Sequence, residues 1–276
     1  MKLSIILVNR NNRTLLKQCL ISLVNSATDI ECEIIVADNA SIDNSVEMIA
    51  TEFSGIKTII NDRDFGIAKA ANDALRASSG EYVLMLSPDT VCTKGSLNKI
   101  LQFMDSHNDA GGLGIRLITP QGRFLPESIY GVKKGWASFF KLTGFSKNLS
   151  KTRLFDRNRK EWVEEFQISE VDLLNADCML LRRSVLKETG LFDERFVKFG
   201  YDTDLSYRIR LAGFKNYYFP KTYILTANTI NNVQLSWSYF KNYYGAMFIF
   251  ASKYLFKLPE INIAKIPKLL PSTYES

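Results

Sequence analysis

The sequence predicts an α/β protein: a mostly parallel central sheet flanked by helices. Three observations carry this expectation. From Leu3 to Ser106, short apolar runs alternate with segments of helical period, the signature of successive βα units. The run Tyr82-Val83-Leu84-Met85-Leu86, bounded by Gly80 and Pro88, is apolar throughout, as suits a strand buried on both faces of a parallel sheet. Two runs also end in acids, Asp38 and Asp89, which places carboxylates at the strand C-termini, where open α/β sheets bind ligands.

Taken in order, the strands are Ser4–Asn9, Glu33–Asp38, Lys57–Asn61 and Tyr82–Leu86. Between them Leu15/Leu16/Cys19/Leu20/Leu23/Val24, Val46/Ile49/Ala50/Phe53 and Ile67/Ala70/Ala71/Ala74/Leu75 recur at three- and four-residue spacing, so each set is a helix with one core face. The loop Asn9-Arg10-Asn11-Asn12 lacks the glycines of a dinucleotide-binding turn. Gly111-Gly112-Leu113-Gly114 opens a strand-like run, Leu113–Ile118, and not a helix, so a dehydrogenase is disfavoured; no P-loop pattern occurs. In Asp38-Asn39-Ala40-Ser41, Ser41 is a helix cap and Asp38 is not needed for it. Asp38 suits either a ligand N–H, such as a pyrimidine imide, or the ordering of its own loop. Ser87-Pro88-Asp89-Thr90 is by itself good turn chemistry.

Gly111–Ser128 reads as a strand and hairpin-like excursion turning at Pro120-Gln121-Gly122. A basic and aromatic insertion follows over about 130–165, suited to a lid, a membrane-facing loop, a nucleic-acid contact or a solvated excursion. Regular pattern returns at Val171–Arg183, then Gly190-Leu191-Phe192-Asp193-Glu194-Arg195-Phe196, then a helix from Tyr201 that stops at Gly213. Asp202 sits near the start of that helix, where an acid also serves as a cap, and Asp204 and Arg208 are spaced to pair along it. Aromatics from Trp237 to Phe256, with Lys241, Lys253 and Lys257, suit an interfacial helix or a core-packing one.

Composition narrows the chemistry. At 276 residues, 46% hydrophobic and 23% charged, the chain can form one large domain with an extension, divided at 1–230 and 231–276. A net charge of +6 favours anionic partners. Four cysteines without a CxxC pair point to a reducing compartment with neither a disulfide framework nor a zinc site. The lone histidine, His107, follows a helix and reads as a surface residue, so any metal must rely on oxygen ligands, which favours Mg²⁺ or Mn²⁺. The N-terminus reads as a first strand rather than a signal peptide. Tyr243–Phe256 is too short to span a membrane and is interrupted by Lys253.

The ordered set Ser-Ile-Ile-Leu-Val-Asn, Val-Ala-Asp-Asn-Ala-Ser, the Gly66–Asn72 segment, Leu-Ser-Pro-Asp-Thr, Gly-Leu-Phe-Asp-Glu-Arg-Phe and Tyr-Asp-Thr-Asp-Leu-Ser-Tyr-Arg-Ile-Arg-Leu-Ala-Gly-Phe resembles glycosyltransferase family 2, in particular its rhamnosyltransferase-like bacterial branch. The resemblance covers Leu3 to about Pro220. It implies a GT-A nucleotide-diphospho-sugar transferase fold, a UDP- or dTDP-sugar donor and inversion at the anomeric carbon. Residue by residue it implies a nucleotide site at Asn9, Arg10, Asn11, Asp38, Asn39, Gly66 and Asn72. Asp89 is implied as the metal- and diphosphate-binding acid with Mg²⁺ or Mn²⁺, and Asp202 as the catalytic base. Asp177, Asp204, Arg208 and Arg210 are implied at the sugar or acceptor. The chain departs from the family pattern in having Tyr201-Asp202 for Glu-Asp, Ser87-Pro88-Asp89 for Asp-x-Asp, and no histidine over Tyr223–Ile230. The implied partner is a glycan or lipid-linked glycan acceptor, not nucleic acid, and the implied location is cytoplasmic, peripheral on the inner face of the cell membrane. Other hexosyltransferases of the same fold, and a non-catalytic nucleotide-sugar-binding subunit, remain alternatives.

Overall fold

The computed structural model describes residues 1–130, 134–143, 165–227 and 237–255. Strands β1 (Leu3–Asn9), β2 (Cys32–Asn39), β3 (Lys57–Asn61) and β4 (Tyr82–Leu86) pair in parallel in the order β3-β2-β1-β4. Helices α1 (Arg13–Ser26), α2 (Ser45–Glu52) and α3 (Ile67–Arg76) make the crossovers. All five residues of β4 are buried, which explains the unbroken apolar run. Because the four strands are parallel, their C-termini share one edge, with Asn9 beside Asp38 and Asn39 beside Asn61.

Past β4 the sheet changes sense. β8 (Cys178–Arg182) runs antiparallel to β4, with Cys178 opposite Leu86, and β6 (Ala110–Ile118) runs antiparallel to β8. β9 (Lys215–Thr226) is parallel to β6, while β5 (Thr90–Cys92) and β7 (Ser169–Val171) pair antiparallel with β9. Parallel pairing therefore dominates the N-terminal half alone, and the sheet as a whole is mixed. The reversal matters for the site: an antiparallel β8 begins where β4 ends, so Asp177 lies next to Ser87, whose N–H donates to the Asp177 carbonyl at 3.0 Å.

Side chains alternate across the sheet into two cores. Ile5, Leu7, Leu84 and Leu86 pack with α1, α2 and α4 (Ser96–Ser106). Ile6, Val83 and Met85 pack with α3, α6 (Lys134–Leu142), α7 (Arg183–Thr189), α8 (Tyr201–Leu211) and α9 (Trp237–Tyr254). The glycines of β6 make room on the second face, since a Cβ on Gly111 would lie 2.5 Å from Ile209 of α8. The hairpin-like excursion turns where expected, with the Gly122 N–H donating to the Thr119 carbonyl at 2.8 Å; α5 (Glu127–Tyr130) follows.

Helix α9 belongs to the same core as the sheet, one of the two readings open for its aromatics: Phe250 is fully buried against Trp136 and Phe140, with ring centroids at 5.8 and 5.4 Å. Within the basic and aromatic insertion, Trp136 and Phe140 of α6 are likewise core residues. Residues 131–133 and 144–164 of that insertion, and those beyond 255, lie outside the described residues. His107 is half-buried, its ring stacked on Phe103 at 3.9 Å, so it is a packing residue at the surface.

Candidate active site

The C-terminal edge of β1, β2 and β3 carries a cluster of polar side chains. Asp38 is fully buried; one oxygen accepts from Asn9 Nδ2 at 2.8 Å and the other from the Ser41 N–H at 2.8 Å. Ser41 Oγ accepts from the Asn11 N–H at 2.9 Å, and Asn11 Oδ1 from the Ile42 N–H at 2.8 Å. These bonds tie the loop after β1 to the loop after β2. They hold Asn11 and Ala40 at φ of 50° and 57°, conformations that non-glycine residues adopt at a cost. Asp38 therefore performs the loop-ordering role. Asn9 is buried with it, and its Oδ1 has no hydrogen-bond partner among the described residues.

Asp64, which sequence reasoning did not single out, organises the second half of this edge. Its carboxylate accepts from Arg10, from the Gly66 N–H at 2.9 Å and from Asn39 Nδ2 at 3.4 Å. Asn39 also donates to the Gly66 carbonyl at 3.0 Å and accepts from Asn61 at 2.8 Å, so it too is an internal strut. Gly66 has φ of +84°, and a Cβ there would lie 2.5 Å from the Val197 carbonyl, which accepts the Ile67 N–H. Only glycine lets residues 193–200 close over the start of α3. Asn72, expected at the nucleotide, is spent elsewhere. It bonds the Phe192 N–H and carbonyl at 3.0 and 2.8 Å and Glu194 at 2.9 Å, stapling α3 to the Gly190–Phe196 segment. Arg10 and Asn11 are the most exposed members of the edge, and Ser41, Asn61 and Asp64 also keep partial contact with solvent.

A cavity of about 200 Å³ opens beside this edge, at the N-terminus of α8. Asp177 and Asp202 face it with Glu127 and Lys198, between walls formed by Trp136, Phe199, Tyr201 and Tyr243. Asp202 occupies the first turn of α8, where exposed N–H groups favour a negative charge. One of its oxygens accepts from the Thr203 N–H at 2.8 Å and the other from the Ala176 N–H at 3.4 Å, which fixes it against the segment carrying Asp177. Lys198 lies 4.0 Å from Asp64, so the cavity and the strand edge adjoin. Burial pushes the Tyr243 phenol up to about 12 and the Tyr201 phenol well above its usual range. Both rings are neutral walls at physiological pH.

Asp89 follows β4 on the same edge. Thr226 Oγ1 donates to its carboxylate at 3.4 Å, and its carbonyl accepts the Ala227 N–H at 2.9 Å. Among the described residues no three acids, histidines or cysteines gather as a metal cage. A single carboxylate still fits a Mg²⁺- or Mn²⁺-type ion that arrives on a diphosphate, because such ions keep waters and bind through one or two carboxylates plus phosphate oxygens.

Asp204, Arg208 and Arg210, expected at the sugar or acceptor, are placed differently. Asp204 is fully buried and accepts from Arg208 at 2.8 Å, Lys253 at 2.8 Å and the Tyr254 hydroxyl at 2.6 Å. Arg208 donates further to the carbonyls of Thr189 and Leu191 at 2.5 and 2.7 Å, closing the C-terminus of α7. Arg210 pairs with buried Asp172 at 2.5 Å. None of the three lines the cavity.

A polar parallel-strand edge beside an acid-bearing cavity at a helix N-terminus puts the candidate site at the C-terminal ends of the strands, where α/β enzymes bind their ligands. Residues 4–190 match the sequence model of glycosyl transferase family 2, and the chain belongs to that family of enzymes. Two curated relatives are similar over most of their length. An N-acetylglucosaminyl-diphospho-decaprenol L-rhamnosyltransferase of Mycobacterium tuberculosis is 25% identical over 216 residues, covering 72% of this chain and 67% of the relative. Rhamnosyltransferase WbbL of Escherichia coli is 25% identical over 223 residues, covering 78% and 80%. Among solved structures, Staphylococcus aureus TarS in complex with UDP-GlcNAc superposes with a TM-score of 0.62 at 18% identity, over 92% of this chain and 66% of that one. In another TarS structure the match spans only 39% of the solved chain. The mannosyltransferase PcManGT of Pyrobaculum calidifontis, in complex with GDP-Man and Mn²⁺, superposes with a TM-score of 0.56 at 16% identity, over 82% and 56%. These likenesses establish the GT-A-like fold.

Proposed function

We propose that the chain is an inverting glycosyltransferase that moves rhamnose, or a related hexose or deoxyhexose, from a dTDP- or UDP-sugar to a polysaccharide or lipid-linked oligosaccharide. The observation that carries this reading is Asp202, held at the first turn of α8 in an aromatic-walled cavity that adjoins the strand edge. Aromatic walls with a few polar groups suit a sugar ring, and the adjoining edge suits a nucleotide.

In this reading Arg10, Asn11 and Asp64 border the nucleotide, with Asp38 and Asn39 shaping their loops from beneath. Asp202 accepts the proton of the acceptor hydroxyl as its oxygen bonds to the anomeric carbon. The carbon–oxygen bond to the diphosphate breaks on the opposite face, and its electron pair leaves with the nucleoside diphosphate. The transition state resembles an oxocarbenium ion, which the carboxylates of Asp177 and Asp202 favour. Lys198 offers positive charge to the departing diphosphate from the junction of edge and cavity. Asp89 would hold a Mg²⁺ or Mn²⁺ ion, which when bound neutralises charge on that leaving group. No enzyme nucleophile takes part, so the anomeric configuration inverts.

The test is nucleoside diphosphate release from a panel of dTDP- and UDP-sugars with lipid-linked and polysaccharide acceptors, with and without Mn²⁺. Asp202→Asn is expected to lower kcat by roughly 10² to 10⁴ while donor binding by calorimetry is preserved. Full transfer by Asp202→Asn would remove it as the base. Activity with a hexose donor and none with dTDP-rhamnose would move the assignment to another hexosyltransferase.

A further inference from the structure

Helix α9 turns two different faces outward and inward. Ala246, Met247, Phe250 and Ala251 enter the core, and Tyr243 lines the cavity. On the adjoining side, toward the start of the helix, Trp237, Phe240, Tyr244 and Phe248 are 85%, 38%, 61% and 69% exposed. Their spacing of three, four and four residues puts them on one stripe roughly 16 Å long. The Phe240 and Tyr244 rings lie nearly parallel, at 6.3 Å and 5°. Lys241 is exposed on the same helix, and Trp237–Leu255 contains no aspartate or glutamate.

We propose that this face of α9 docks the enzyme on an anionic lipid surface. Four large aromatics in a row beside an exposed lysine, with no acid to oppose an anionic headgroup, match the chemistry of a helix lying in the membrane interface. The net charge of +6 acts in the same direction. No helix among the described residues is long and apolar enough to cross a membrane, so the contact is made along the surface. A second copy of the chain fits less well. The exposed parts of the four rings come to roughly 500 Å², short of the ~800 Å² per partner that a stable dimer buries. Because Tyr243 of the same helix walls the cavity, docking would set the cavity next to the lipid headgroups. The inference does not depend on the donor or acceptor reading, since docking is measured without substrate.

The test is co-sedimentation of the full chain with vesicles of phosphatidylcholine alone or with added phosphatidylglycerol. The expected result is binding to the phosphatidylglycerol vesicles, weakened at least about tenfold in F240S/Y244S/F248S. That variant should keep the wild-type far-ultraviolet circular dichroism and thermal midpoint. A blue shift of tryptophan emission on adding vesicles should disappear in Trp237→Phe, which reports the face itself rather than the fold. Unchanged binding of the triple variant, or no binding of the wild type, would overturn the proposal, and equal binding to phosphatidylcholine alone would overturn its anionic half. A lipid-free dimer that the triple variant dissolves, with no vesicle binding, would assign the face to a second copy. A Trp237 emission already blue without lipid and unmoved by vesicles would assign it to residues 256–276.

Discussion

At the scale of single residues, position separates the acids that face the cavity from those that hold structure. Asp38 and Asp202 both follow turn-like sequence, yet Asp38 is sealed under Asn9 and Ser41 while Asp202 faces a cavity. Lys198 is the cation the sequence did not flag. If it meets the leaving diphosphate, Lys198→Met should weaken UDP or dTDP binding by about tenfold, as expected for one lost bond to a charged group, and leave nucleoside binding unchanged in calorimetry. Asp193 offers a pH prediction. Burial pushes its carboxyl up, but hydrogen bonds from Arg195 and Lys253 more than reverse this and hold it below its ordinary 3.8. A depressed folded-state value adds stability that is full above the ordinary value and disappears as pH falls toward the folded one. Urea unfolding should therefore show stability declining from about pH 5 downward. Asp193→Asn should be less stable at pH 7 and show a shallower acid decline.

At the scale of elements, α9 is where sequence and structure part most clearly. The aromatic run suits an interfacial helix and a core helix equally, and the structure uses both faces at once. Phe250 lies among Trp136, Phe140, Tyr207 and Tyr254, so Phe250→Ala should cost about 3–5 kcal/mol in denaturant unfolding, as for other buried aromatics. The four N-terminal strands, by contrast, were legible nearly to the residue. Each is an apolar run closed by a turn, and β4 is predicted and observed at Tyr82–Leu86. Strand β9, twelve residues long at Lys215–Thr226, escaped notice because its charges and its Pro220 interrupt the alternation. It also carries a register shift against β6, between Ile115 and Arg116.

At the scale of the whole molecule, one core joins the sheet to the C-terminal helix. In a W162F/W237F background, Trp136 emission should report the contact between α6 and α9. Its denaturation midpoint is expected to coincide with that of far-ultraviolet circular dichroism, whereas an earlier loss of Trp136 signal would show α9 to be a detachable extension. The sequence by itself determined the βα alternation, the strand edge where the acids gather and the family, because hydrophobic period and turn residues are local properties of the chain. Only the tertiary structure decided that Asn72 and Arg210 are struts, that Lys253 and Tyr254 close on the Asp204–Arg208 pair which helical spacing anticipates, that Asp64 and Lys198 border the candidate site, and that the sheet reverses after β4. Each of those depends on which distant segment supplies a hydrogen bond or a charge, and no local pattern records that choice.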